Sequence, residues 1–254
     1  MERREKIFFI LASVFVSALV MANIVGITKF FGFRVPFWGH EVSVPVGILP
    51  YPITFLATDL ISELYGRRRA GFVVFVGFLM NVLLIAICAV GQWVPDSEEW
   101  RSTLTESWHS EVYPYVWGFI WIGVQGSMAA YLVAQLLDVQ LFHFWKRLTK
   151  GKHLWLRNNA STMCSQLLDS TIVLSYVFGS AAAAGKLSAS NPFGEGEVAG
   201  YTALAVFIFN AYLFKFFFAA FDTPIVYLLR RILSPHVGGP DPGEQRYETH
   251  TQKP

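Results

Sequence analysis

Charge is what this sequence has least of. Only 15% of its 254 residues are Asp, Glu, Lys or Arg, against about 25% in an ordinary soluble domain. With 54% hydrophobic residues, the composition excludes a water-soluble globule and reads as an integral membrane protein. Cysteine is nearly absent. Cys88 and Cys164 both fall in apolar runs, so there is neither a disulfide framework nor a metal-ligand spacing. No Gly-x-x-x-x-Gly-Lys phosphate loop occurs, which excludes a nucleotide-driven motor within this chain. No His-Glu-x-x-His occurs either, and His40, His109, His143, His153 and His236 lie outside the apolar runs. Membrane-embedded metal or serine catalysis therefore lacks its parts. The pattern calls for no cofactor, no metal and no nucleic-acid partner, and the chain reads as something other than an enzyme.

What is present is a series of long apolar runs. About 20 such residues cross about 30 Å of hydrocarbon, and six segments qualify: roughly 7–27, 45–65, 70–92, 115–141, 154–178 and 201–229. In lipid the backbone must satisfy its own hydrogen bonds, so runs of this length are helices. The first begins MERREKIFFILASVF, which resembles a signal peptide but is long enough to be a retained span. The second begins VPVGILPYPITF, with Pro45, Pro50 and Pro52. Proline removes an N–H from a helix interior, so this entry is expected to be broken or re-entrant.

Basic residues collect in cytoplasmic loops. Arg3, Arg4 and Lys6 precede the first run; Arg67, Arg68 and Arg69 lie between the second and third. Lys146, Arg147, Lys150 and Lys152 lie between the fourth and fifth, and Arg230 and Arg231 follow the sixth. Six spans with both ends inside put all of these on one side. The opposite side holds the acidic stretch from Trp93 to Pro114, with Asp96, Glu98, Glu99, Glu106 and Glu111 against Arg101. Trp93, Trp100, Trp108, Trp117, Trp145 and Trp155 fall near run ends, as an interfacial belt requires. The expected architecture is all-α: a polytopic membrane protein of six transmembrane helices over residues 1–232, both termini cytoplasmic. A polar, disordered tail is expected over 233–254. The lipid bilayer is then an obligatory partner, and pairing of two copies into a homodimer is compatible with the pattern.

Polar side chains inside the runs are the functional signal, since an ionised group at mid-membrane costs about 2.5–3.5 kcal/mol. In RNNASTMCSQLLDS, Asn158, Thr162, Ser165 and Asp169 fall within about 60° of one another at 100° per residue, and Gln166 flanks the stripe. Ser, Thr and Asn serve equally as glue between membrane helices. Asp169 fits that role poorly, because it is too deep to reach water. The fourth run carries Tyr131, Gln135 and Asp138 on one stripe; an ion pair of Asp138 with Lys146 or Arg147 is the alternative. The second run ends TDLISELYGRRR, with Asp59 and Glu63 one turn apart and Arg67 within reach of Glu63. Lys215 sits mid-way along the sixth run, with Asp222 seven residues later. Lys215 must find a carboxylate or a wet cavity, and a structural pair with Asp169 or Asp222 is one solution.

The tetrapeptide Gln-Leu-Leu-Asp occurs twice, at 135–138 and 166–169. Amide and acid three residues apart share one helix face. Two neighbouring helices can each aim such a pair inward, with Phe55, Tyr65, Tyr131 and Tyr176 as flat walls. Carboxylates that accept paired N–H groups, amides that donate and accept, and stacking faces suit a planar heterocycle.

PITFLATDLISELYGRRRA (Pro52–Ala70), AQLLDV (Ala134–Val139) and LWLRNNASTMCSQLLDS (Leu154–Ser170) resemble the conserved blocks of the VUT-type queuosine-precursor transporters, named from vitamin uptake transporter. The resemblance runs in order from about Asn23 to Asp222. It departs from shorter bacterial members in the acidic, Trp-bearing loop and the polar tail. It implies import of 7-deazaguanine bases, the 7-cyano and 7-aminomethyl compounds with queuine as a further candidate, across a bacterial cytoplasmic membrane. On this reading Asp59, Asp138, Asp169, Gln135, Gln166, Asn158 and Asn159 form the site, with Glu63 and Tyr131 beside them. Lys215 and Asp222 serve coupling or a structural ion pair. Asp169, or Asp59 with Glu63, could carry a proton that drives uptake. Facilitated diffusion stays open, as does a role as the substrate-binding membrane subunit of an ATP-driven importer, or as a carrier of another small heterocycle.

Overall fold

A computed structural model describes residues 2–26, 28–34, 41–103, 109–150, 153–192 and 196–237. The polar tail beyond 237, Trp108, and the side chains of Trp100, Asn158 and Asp222 lie outside that description. The described residues are overwhelmingly helical: α1 (Arg3–Val25), α2 (Tyr51–Tyr65), α3 (Arg67–Trp93), α4 (Glu98–Thr103), α5 (His109–Leu148), α6 (Leu154–Ala183) and α7 (Gly200–Val237). Two small antiparallel ribbons join them. β1 (Phe30–Arg34) pairs with β2 (Glu41–Pro45), Phe30 opposite Pro45; β3 (Ser188–Ser190) pairs with β4 (Glu197–Ala199).

Four helices among the described residues are long and apolar enough to cross a membrane: α1, α3, Tyr113–Leu148 within α5, and Gly200–Phe218 within α7. The other two expected spans fall short for different physical reasons. Residues 45–65 do not form one helix. Pro45 ends β2, a single 3-10 turn covers Val46–Ile48, and α2 follows with 15 residues, about 22 Å at 1.5 Å per residue. α6 has the length, at 30 residues, but its polar stripe lowers its hydropathy. α7 continues past residue 232 to Val237.

The molecule is apolar outside and carries polar groups within its interior. Phe9, Ile10, Phe72, Phe75, Ile87 and Phe221 are exposed, whereas Asn23, Asn81, Gln135, Asp138, Gln166 and Asp169 are buried. Surface apolar area on this scale is what a lipid-facing helix bundle presents. The chain is a multi-pass membrane protein.

Two apolar cores flank the interior. Phe15, Leu19, Ile61, Val74 and Tyr131 bring α1, α2, α3 and α5 together. Val44, Ile48, Leu174, Leu204 and Phe214 seat the β1–β2 ribbon against α6 and α7, and Phe178 stacks on Phe207 with ring centroids 5.6 Å apart. α5 and α6 lie antiparallel, as the contacts Asp138–Ser165 and Gln125–Tyr176 require. Gly66, at φ 87°, is the left-handed joint that ends α2 and lets α3 begin at once. Beside it, Tyr65 donates to the Arg4 carbonyl at 2.7 Å, and Arg69 pairs with Glu5 at 2.9 Å.

The turn after β2 is pressed against the end of α1. Val46 N–H donates to the Lys29 carbonyl at 2.8 Å and Gly47 N–H to the Gly26 carbonyl at 3.0 Å. A Cβ on Gly47 would lie 2.5 Å from Gly26 Cα and 2.7 Å from the Ala22 carbonyl oxygen. Both obstacles are backbone and cannot swing aside. Gly47→Ala is therefore expected to cost about 1–3 kcal/mol as an overpacked contact and to lower the melting temperature of the detergent-purified protein by several degrees. An unchanged melt would show that the turn is free to move off α1.

Candidate functional site

α6 supplies the site because its polar residues recur at helical spacing. Ser161, Thr162, Ser165, Gln166, Asp169 and Ser170 are all buried, so this face points into the bundle. α7 answers with one charge. Lys215 Nζ donates to Asp169 Oδ2 at 2.6 Å, with both side chains almost fully buried, and the ammonium lies 4.5 Å from the centre of the Tyr51 ring. Carboxylate, ammonium and aromatic face come from α6, α7 and the first residue of α2.

Two cavities meet at this pair. The larger encloses about 590 Å³, counting its open mouth, and includes Asn23, Gly47, Ser127, Asp169, Ser170 and Lys215 in its wall. The smaller encloses about 320 Å³. Its walls are the rings of Tyr51, Phe55, Phe214 and Phe218 with the polar ends of Thr162 and Gln166. Ile48, Tyr51 and Lys215 line both. Sites for small molecules are commonly 300–1,000 Å³, mainly apolar, with a few placed polar groups.

Unmet hydrogen-bonding capacity marks where a ligand could sit. Gln166 is only 2% exposed, yet neither its Nε2 nor its Oε1 has a partner among the described residues. The same holds for Thr162 Oγ1 and Ser170 Oγ. A buried amide left unpaired costs about 1–3 kcal/mol. Gln166 lies among aromatic rings, where a flat polar molecule would satisfy it.

The expected site residues separate into two groups. Gln166, Asp169 and Lys215 line the cavities. Gln135 and Asp138 do not; they are buried at the helix seams. Gln135 Nε2 donates to Thr58 Oγ1 at 3.1 Å, and Asp138 Oδ1 accepts from Ser165 Oγ at 3.0 Å. Asp59 is buried on α2 beside that seam. The two Gln-Leu-Leu-Asp copies thus face different neighbours. Glu63 meets Arg230 of α7 at 3.0 Å, where Arg67 was the expected partner. Tyr131 donates to the Val74 carbonyl at 2.7 Å and packs on Phe15, so it is a helix-packing residue. Asn159 donates to the Trp155 carbonyl at 2.8 Å, one turn back on α6. Of the aromatic walls, Phe55 lines the smaller cavity, whereas Tyr65, Tyr131 and Tyr176 line neither.

Tyr51, Asn23, Ser127 and Ser170 were not among the expected residues. Tyr51 stands between Pro50 and Pro52, in a stretch whose path periodicity cannot trace. Asn23 had a readable signal: it is a lone carboxamide in an apolar helix.

A family model described as "Putative vitamin uptake transporter" matches residues 45–229. A Bacillus subtilis protein named "Probable queuosine precursor transporter" is 30% identical over 139 residues, which cover 54% of this chain and 57% of that protein. A Haemophilus influenzae protein of the same name is 30% identical over 133 residues, covering 52% and 51%. The chain spans about half the length of the curated relatives it matches. No solved structure matches the chain.

The ion pair can be tested on the protein alone. Lys215→Met strands a buried carboxylate and is expected to cost about 3–5 kcal/mol. Combining it with Asp169→Leu removes both charges and should restore most of the loss. Thermal melting of the three variants checks this; a double variant no more stable than the single one would mean that the two charges do not support each other.

Proposed function

We propose that this chain, which belongs to the family described as putative vitamin uptake transporters, imports queuosine precursors: 7-cyano- and 7-aminomethyl-7-deazaguanine, with queuine as a larger guest of the same site. The relatives' names support this substrate class. The observation that carries it is the unpaired Gln166 amide in an aromatic-walled cavity that shares Tyr51 and Lys215 with the Asp169 cavity. A deazaguanine is flat, so it fits between rings. It presents a carbonyl and several N–H donors at its rim, which an amide and a carboxylate can meet. Asp169 then exchanges a protein donor, Lys215, for a substrate donor. Asp59, Gln135, Asp138 and the Glu63–Arg230 pair hold the helices on either side in register. In this reading a proton carried on Asp169 drives uptake; Glu63, held by Arg230, is not used for it.

The membrane arrangement belongs to the same reading. Six membrane segments, the second entered through the β2 turn, place both termini in the cytoplasm of a bacterium and the chain in its inner membrane. The helical stretch at Glu98–Thr103 then faces outward and the Arg67–Arg69 joint inward. A single cysteine at Ser97, in a background lacking Cys88 and Cys164, should react with a membrane-impermeant maleimide in intact cells. One at Arg68 should react only after permeabilisation; the reverse pattern would invert the topology.

Transport is tested in a strain that can neither make nor import queuosine precursors. Expression of this chain should restore queuosine in tRNA when either base is supplied at low concentration, and a protonophore should suppress it. Asp169→Asn should abolish rescue. Gln166→Leu should raise the base concentration required by about 10-fold or more, the loss of one buried hydrogen-bonding group. No queuosine with any base would remove the substrate assignment, and normal rescue by Asp169→Asn would remove Asp169 from the site.

A further inference from the structure

Asn23 lies on α1 near its end, buried in the wall of the larger cavity. Its carboxamide is held on both sides. Nδ2 donates to Asn81 Oδ1 of α3 at 2.6 Å, and Oδ1 accepts from Ser127 Oγ of α5 at 2.7 Å. Asn81 is anchored in turn, since its Nδ2 donates to the Gly77 carbonyl at 3.1 Å. The direction of the chain follows from that carbonyl. It can only accept, so Asn81 must turn its NH₂ toward it and its oxygen toward Asn23. Asn23 must then turn its NH₂ to Asn81 and its oxygen to Ser127. One backbone oxygen sets the orientation of three side chains on three helices.

A carboxamide offers two N–H groups and two lone pairs. The contacts to Asn81 and Ser127 use one of each, which leaves one of each uncommitted on a residue of the cavity wall. Ser127 shares the cavity wall with Asn23, whereas Asn81 stands behind it. Interhelical glue alone would not require a preset orientation at a cavity surface.

We propose that Asn23 is a second recognition residue of the cavity, reading the lactam edge of a planar heterocycle, and that Asn81 is its positioning residue. The ring carbonyl takes the spare N–H of Asn23, and the adjacent ring N–H donates to its spare lone pair. This rests on the transport reading above and deepens it. Asp169, on α6, accepts from the donor-rich rim, while Asn23, on α1, separates a lactam from the same ring carrying an amino group in place of the carbonyl.

The test uses the full chain in proteoliposomes and two bases: 7-cyano-7-deazaguanine, and its counterpart with the ring carbonyl replaced by an amino group. Wild type should favour the lactam by about 10-fold or more in the ratio of maximal rate to KM, the scale of one buried polar pairing. Asn81→Leu removes the orienting acceptor. It should raise KM for the lactam about 10-fold, leave the maximal rate near wild type, and leave the amino compound unaffected, so that discrimination collapses. Asn81→Asp, which keeps an acceptor toward Asn23, should retain discrimination. Asn23→Asp preserves shape but loses the N–H, and Ser127→Ala removes one support; both should narrow the preference even where the leucine variant does not fold. Variants that slow both bases equally, or that change only the melting temperature, would reduce the network to helix glue and overturn the proposal. Equal transport of the two bases by wild type overturns it alone. Transport of neither overturns the transport reading and this inference with it.

Discussion

The buried contact between Lys215 and Asp169 is the constraint on which the interior depends. Removing two charges from water costs more than their attraction returns unless the geometry is close and other groups assist. Here the separation is 2.6 Å, and the Tyr51 ring adds a favourable face for the ammonium. A leucine and a methionine would hold α6 to α7 nearly as firmly. The pair instead places two opposite charges where two cavities adjoin, Lys215 lining both and Asp169 the larger. A fold selected only for stability would have little use for it.

Around that pair two sets of ties hold the bundle, and α5 belongs to both, since its Asp138 and Gln125 meet Ser165 and Tyr176 of α6. α1, α3 and α5 are joined by the Asn23, Asn81 and Ser127 chain and by the apolar core at Phe15 and Val74. α6 and α7 are joined by the ion pair and by the ribbon residues Val44 and Phe31. α2 stands between them, tied to α5 through Thr58 and Gln135 and to α7 through Glu63 and Arg230. Beside the apolar contacts, the side-chain hydrogen bonds and ion pairs named here each replace apolar contact that lipid could equally have supplied. Polar ties are directional, so they fix rotation about the helix axis and keep Gln166 aimed into its slot.

Much of this was legible in the chain. The polar stripe of α6 follows from 100° per residue, and the structure buries Thr162, Ser165, Gln166 and Asp169 together as that angle requires. Lys215 had to find a carboxylate, and Asp169 was one of two candidates. Periodicity assigns a face to a residue but not a neighbour. Gln135 and Asp138 lie on an inward face as expected, yet the seam they enter is set by how α5 lies against α2 and α6, which no local pattern encodes. Glu63 shows the same limit: Arg67 lies within reach along the chain, but Arg230 arrives from α7. The ribbon of residues 30–34 and 41–45 was hidden because its strand residues read as a loop between spans. Tyr51 was hidden by the prolines on either side of it.

α6 carries a consequence for how the protein is made. Among the described residues its neighbours α5 and α7 include stretches long and apolar enough to cross a membrane, and α6 does not. When α6 leaves the ribosome, its acid has no counter-ion, because Lys215 has yet to be synthesised. Until α7 follows, Asp169 is without the ammonium that meets it in the folded chain. Closure of the larger cavity's wall and neutralisation of the α6 acid are then one event of assembly, and a chain truncated before α7 would lack both Lys215 and that wall.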